Sequence, residues 1–180
     1  MSQPPERLPS TWFTWHMHLI RPGARVIDLA SGDGSHSLAA AALGAKVVAV
    51  DKDPALLEAG RRRAAAAGLT IDWRLADLEK PWPDFGRFDV VLVFNYLDRA
   101  RMPEVRELVA PGGVLIAETF LVTQRALGWG PGSDEHLLRA GELASLVYPM
   151  EIVHGREVLE PVNADRWRAV ASIVAERPSR

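Results

Sequence analysis

Between residues 25 and 120 the chain alternates between two patterns, and that alternation leaves few folds open to it. "RVIDL", "KVVAV", "TIDWRL", "FDVVLVF" and "GGVLIAETF" read as buried strands. "SHSLAAAAL", ending at Gly44, reads as a helix, as do "PALLEAGRRRAAAAG", opened by Pro54 and closed by Gly68, and "MPEVRELVA". Only "EKPWPDFGR" joins two strands as loop. Strands linked through helices must run parallel, and a parallel sheet needs both faces covered. With right-handed crossovers the expected fold is α/β, a single Rossmann-like doubly wound sheet. Ligands of such sheets bind beyond the carboxyl ends of the strands.

The flanks add detail. Residues 1–10 are Pro-rich and expected to form an arm, and "STWFTWHMHLI" a short helix capped by Ser10 or Thr11 and stopped by "RPG". After Phe120 comes "LVTQRALGWGPGSDEHLL", a long segment at the functional edge and a candidate lid. A helix over "AGELASLV" precedes two strands, "EIVHGREVLE" and "RWRAVASIVAE", joined by a turn around residues 161–165. The sheet should therefore be mostly parallel, with a C-terminal antiparallel strand, in one domain over residues 1–180.

Composition narrows the function classes. A formal net charge of −2 argues against holding nucleic acid by its phosphates, and the absence of cysteine removes disulfides and thiolate metal sites. No run approaches the roughly 18 apolar residues of a membrane span. "MSQPPERLPS" lacks the apolar centre of a signal peptide. The expectation is a soluble, cytoplasmic protein with neither nucleic acid nor membrane as partner; its oligomeric state is open.

The densest motif is "VIDLASGDGSHSLAAAA", starting at Val26. It is not the dinucleotide fingerprint, because Ala30 and Ser35 stand where glycines are needed. It lacks the G-K-[ST] of a P-loop as well. What remains is D-x-A-x-G-x-G, in which Gly32 and Gly34 supply positive φ or let a ligand approach the backbone. Strand two ends on Asp51, where doubly wound folds read ribose hydroxyls, and strand three leads to Asp77 in "LADLE". A nucleoside held by acids, with no cationic cradle for a pyrophosphate, suits a positively charged ligand better than NAD.

"VIDLASGDGS", "VVAVDKDP", "LADLE", "FDVVLVFNYLD" and "LVAPGGVLIAETF" follow one another in an order and spacing that resemble the class I S-adenosylmethionine-dependent methyltransferases. The resemblance covers about residues 25–120. It implies S-adenosylmethionine as cofactor, with S-adenosylhomocysteine as product. By that likeness Asp28, Ala30, Ser31, Gly32 and Gly34 hold the methionine part, and Asp51, with Lys52 beside it, the ribose. Ala76, Asp77 and Leu78 frame the adenine, and Asn95 closes the pocket. Ala30 departs from the pattern, since many members carry glycine there. "SHSLAAAALGAKVVAVDKD" and "LLRAGELASLV" look like the small tellurite-resistance-type methyltransferases, which implies a small-molecule acceptor.

The reaction so implied is an in-line displacement at a sulfonium, in which alignment and exclusion of water do most of the work. A general base is needed only for an acceptor that arrives protonated. Tyr96, His136 and Glu118 are candidates by position alone. His36, at a helix start, is expected to pack or cap, and Trp12 and Trp15 to pack. His16 and His18, two apart on a helix, point away from each other, so no metal site is expected. The "GRRRAAAAG" cations are expected to complement a helix dipole. Two alternatives stay open: an RNA or protein methyltransferase that borrows a partner, and a non-catalytic cofactor-binding scaffold.

Overall fold

A computed structural model describes residues 8–179. The arm expected over residues 1–10 lies outside the described residues as far as residue 7. In chain order the elements are α1 (Thr11–His16), β1 (Arg25–Leu29), α2 (Ser35–Ala42), β2 (Lys46–Asp51), α3 (Pro54–Ala66), β3 (Ile71–Leu75), β4 (Phe88–Phe94), α4 (Met102–Leu108), β5 (Val109–Phe120), α5 (Glu142–Val147), β6 (Glu151–Asn163) and β7 (Arg166–Glu176). Seven strands form one sheet in the order β3-β2-β1-β4-β5-β7-β6. The first five run parallel, and β7 lies antiparallel to both β5 and β6. This is the doubly wound sheet the alternation predicts, with its one antiparallel strand.

Local chemistry explains the boundaries. Ser10 Oγ accepts the Phe13 amide and caps α1. Asp53 accepts the amides of Ala55 and Leu56 ahead of Pro54, which opens α3. Two boundaries differ from expectation: β6 runs on through Pro161 to Asn163, where a turn over residues 161–165 is expected, and "MPEVRELVA" stops being helical at Leu108, where β5 begins at Val109. The pairing then slips, from Phe88 opposite Val109 to Val90 opposite Val114, so residues 110–113 bulge out of the ladder. Proline has no amide to give a ladder, and a bulge is where a strand tolerates it.

Two buried layers sandwich the sheet. On one face Trp12, Phe13 and Ile20 pack with small residues of α2 and α3 against Val26, Leu92 and Ile116. On the other, α4 and α5 contribute Met102, Val105, Leu143 and Val147 over Ile27, Val91 and Leu115. Trp73 of β3 is a wedge between elements. A Cβ added at Gly34 would lie 2.3 Å from its ring, and one at Gly60 of α3 would lie 2.4 Å from it. The indole therefore fills the space that both glycines leave, and fixes the β1–α2 turn against α3.

Candidate active site

The five parallel strands all end at one cavity of about 810 Å³. Ala30 follows β1, Asp51 ends β2, Ala76 and Asp77 follow β3, Asn95 and Tyr96 follow β4, and Thr119 lies at the end of β5. Ala30 and Asn95 carry φ of 56° and 55°, the two non-glycine residues with positive φ among the described residues. Backbone strain of this kind concentrates where a site over-determines the chain.

Asp51 organises the turn. Gly32 N donates to its Oδ2 at 2.8 Å and Asp53 N to its Oδ1 at 2.9 Å. A Cβ on Gly32 would meet nothing within 4 Å, so one side of the turn is open backbone. Asp28 does not line the cavity. It lies beneath the turn, 1 % exposed, where Ser37 Oγ donates to it at 2.6 Å. Burial pushes its carboxyl up to about 7, against the opposing hydrogen bonds from Ser37. Gly34 faces Trp73 and serves packing.

Beyond β3, the Glu79 amide donates to Asp77 Oδ1 at 3.1 Å and holds its carboxyl below the usual range; Lys80 lies 3.4 Å away. Leu78 is buried and Ala76 half-buried, which gives this end an apolar wall. Lys52 lines the cavity, but its ammonium sits 3.0 Å from Glu79. Tyr96, also on the wall, buries a hydroxyl without a hydrogen-bond partner among the described residues, and burial raises its pKa. His136 also lines the cavity, its Nε2 3.5 Å from Glu135.

Glu118 is placed otherwise than a base would be. It is 1 % exposed and absent from the cavity wall. It accepts from Ser172 Oγ at 2.7 Å and pairs with Arg156 at 3.1 Å and Arg168 at 3.0 Å, both of which also hold Glu160. Acid at the end of a strand was the signal; which face of β5 it occupies was not readable. His36 packs, stacked on Phe94 at 3.9 Å, and accepts the Ser10 amide at 3.1 Å. Burial pulls its pKa down to about 4. The "RRR" run is more specific than a dipole complement: Arg63 pairs with Asp33 of the turn at 3.0 Å, and Arg61 donates to the Trp73 carbonyl. Trp12 is buried, whereas Trp15 is 57 % exposed beneath the Arg156 guanidinium. His16 turns inward onto His154, at 3.0 Å, a pairing that nothing in the sequence signals.

The candidate lid is strapped down. Residues 121 and 138 pair at its base, and buried Gln124 accepts the Ala169 amide while donating to the Trp129 carbonyl. Arg99, which no motif of the sequence singles out, holds its far end through the carbonyls of Asp134, Glu135 and Leu137.

These side chains fit an adenosyl sulfonium. Acids stand at the ends of β2 and β3, beside an apolar wall for a base. Ser31 Oγ, in the turn, is buried with no hydrogen-bond partner among the described residues. Five carboxylates line the cavity against two cations, and both cations are engaged by carboxylates, Lys52 by Glu79 and Arg99 by Glu142. The field there favours positive charge.

Comparison with known proteins agrees. Residues 26–113 match the methyltransferase domain family. The ribosomal protein L11 methyltransferase of Symbiobacterium thermophilum is 33 % identical over 128 residues, which are 71 % of this chain and 42 % of the relative. The ubiquinone biosynthesis O-methyltransferase of Xanthomonas campestris is 29 % identical over 160 residues, 84 % of this chain and 63 % of the relative. The chain thus spans about half the length of these curated relatives. TehB from Haemophilus influenzae superposes with a TM-score of 0.74 at 18 % identity, covering 91 % of this chain and 60 % of TehB, and so shares the fold. Matched along its parallel strands, and with acids where an adenosyl ligand needs them, this chain belongs to the class I S-adenosylmethionine-dependent methyltransferases.

Proposed function

We propose that the protein transfers a methyl group from S-adenosylmethionine to a small-molecule acceptor. The observation that carries this reading is the cavity at the ends of the five parallel strands, with Asp51 and Asp77 on its wall. Asp51 would take the ribose hydroxyls while holding Gly32, and Ser31 and the open face of Gly32 would receive the methionine part. Asp77 would meet the adenine amine between Ala76 and Leu78, with Lys52 and Asn95 at the rim. The cofactor supplies an electrophilic methyl group on a sulfonium. The chain's task is to align the acceptor and exclude water. Tyr96, kept protonated by burial, is suited to donating a hydrogen bond rather than taking a proton. His136 is the group on the cavity wall suited to accept one.

Acceptor size follows from the room available. One cavity serves both partners, and among the described residues no second domain stands over it. An anionic acceptor would find no uncommitted cation on the wall, which favours a neutral or cationic one.

Calorimetric titration with S-adenosylmethionine, S-adenosylhomocysteine and NAD tests the cofactor. Both adenosyl ligands should bind and NAD should not, and Asp51→Ala should weaken binding by about 1–3 kcal/mol, the cost of a lost buried hydrogen-bond partner. Failure of all three to bind would overturn the cofactor reading, whereas binding without turnover on any acceptor would favour the cofactor-binding scaffold. Transfer of labelled methyl from the cofactor into a cell extract then tests the acceptor. Label should appear among small molecules, and label confined to macromolecules would replace this reading with a partner-dependent one.

A further inference from the structure

Pro131, Glu135 and His136 form part of the cavity wall. Downstream, Leu137 and Leu138 are buried and anchor the chain. Upstream, residues 133–136 expose their side chains, and behind them lies a second hollow of about 410 Å³, bordered by Val122, Asp134, Leu137, Arg139 and Glu142. A segment with a cavity on each side has little packing to keep it in place.

Arg99 supplies what packing does not. It follows β4 four residues after Asn95, and its guanidinium lines both hollows. Nε donates to Glu142 Oε1 at 2.5 Å and Nη2 to Glu142 Oε2 at 3.0 Å. Nη1 donates to the carbonyls of Asp134 at 3.2 Å and Glu135 at 2.9 Å, and Nη2 to that of Leu137 at 2.8 Å. Those bonds engage all five N–H donors of the side chain. Glu142 Oε2 also accepts the Arg139 amide at 2.8 Å, and the pairing with Arg99 drops the Glu142 carboxyl well below its usual range. A lysine keeps the charge but cannot reproduce this planar fork.

We propose that Arg99 is a positioning residue for the acceptor side of the site. It holds the 134–137 segment against the cavity, and it ties that wall to the β4 end that closes the cofactor pocket. The wall is preset and does not swing as a free lid. Cofactor occupying the Asn95 end stiffens it through Arg99, so acceptor binding follows cofactor binding. The acceptor half of this inference rests on the methyl-transfer reading.

Hydrogen exchange followed by mass spectrometry, with and without S-adenosylhomocysteine, tests it without knowledge of the acceptor. In the wild type the ligand should slow exchange of residues 132–138. In Arg99→Lys the free protein should exchange there about ten-fold faster. The ligand-dependent slowing should be lost, while calorimetric affinity stays within about three-fold and exchange of the sheet is unchanged. Glu142→Gln should give an intermediate result, and it substitutes for Arg99→Lys if that variant does not fold. Equal exchange in variant and wild type, or no ligand-dependent slowing in a wild type that binds the ligand, would overturn the proposal. Should the wild type bind no ligand, the cofactor reading fails, and the comparison of free proteins still decides whether Arg99 holds the wall.

Discussion

Ala30 shows how much one methyl group at the cavity edge matters. At φ 56° its Cβ crowds the following carbonyl, a strain of about 1–2 kcal/mol that glycine avoids. The larger entropy of an unfolded glycine offsets part of that. Ala30→Gly should therefore stabilise the fold by about 1 kcal/mol and raise Tm by about 2–4 °C, read by calorimetric melting. Asp28 makes a prediction in pH. Its carboxyl titrates near 7 in the fold against an ordinary value of 3.8, so between those values the folded state keeps a proton that the unfolded chain has released. Its contribution is then fully present below about pH 4 and is lost as pH rises to about 7. Relative to Asp28→Asn, the wild type should lose up to about 1.4 kcal/mol per pH unit across that window and nothing more beyond it, by urea denaturation at a series of pH values. The strand-end acids were legible one by one, because a strand's end and an acid are both local facts. The division of labour among Asp28, Asp51 and Gly34 was not, because it depends on which of them lies beneath the turn, which lines the cavity and which meets Trp73.

Between elements, the Trp73 wedge couples α3 to the turn after β1. A methyl at Gly60 would collide with the ring and also sit 3.0 Å from the Asp33 carbonyl. Gly60→Ala should destabilise by about 1–3 kcal/mol, the usual cost of overpacking. In a Trp73→Leu background the added cost should shrink by at least about 0.5 kcal/mol. Equal costs in the two backgrounds, measured by denaturant titration, would mean that Asp33 and not the indole excludes the methyl. Periodicity located every strand and the three α-helices between residues 25 and 120, and missed the 3-10 turn at Arg99–Arg101 and how β5 begins. "APGG" carries the residues of a turn, and in the structure they form a bulge within a strand. The loop after β5 had the composition of a lid, yet buried Gln124 and the Arg99 fork hold it, long-range contacts that composition does not report.

At the scale of the whole molecule, β5, β6 and β7 are stitched together by charge. Glu118 on β5 meets Arg156 on β6 and Arg168 on β7, with Glu160 completing a neutral cluster. Removing Glu118 leaves two partly buried guanidinium groups to share the one remaining carboxylate, Glu160, so Glu118→Ala should cost about 3 kcal/mol by urea denaturation while leaving S-adenosylhomocysteine affinity unchanged. A catalytic Glu118 would give the reverse pattern. The sheet's general architecture was legible because parallel crossovers admit few topologies. Its C-terminal half was harder, since β7 pairs with a strand made nearly sixty residues earlier (Ile116 with Val174) and no local pattern names that partner. The order β5-β7-β6 has a consequence for synthesis. The strand that fills the gap leaves the ribosome after both of its neighbours, so for a time β5 and β6 each present an open edge to solvent with nothing to pair them. Closure of the sheet waits on the translation of β7, and the nascent chain is most exposed to capture by another copy, or by a chaperone, in the interval just before β7 emerges.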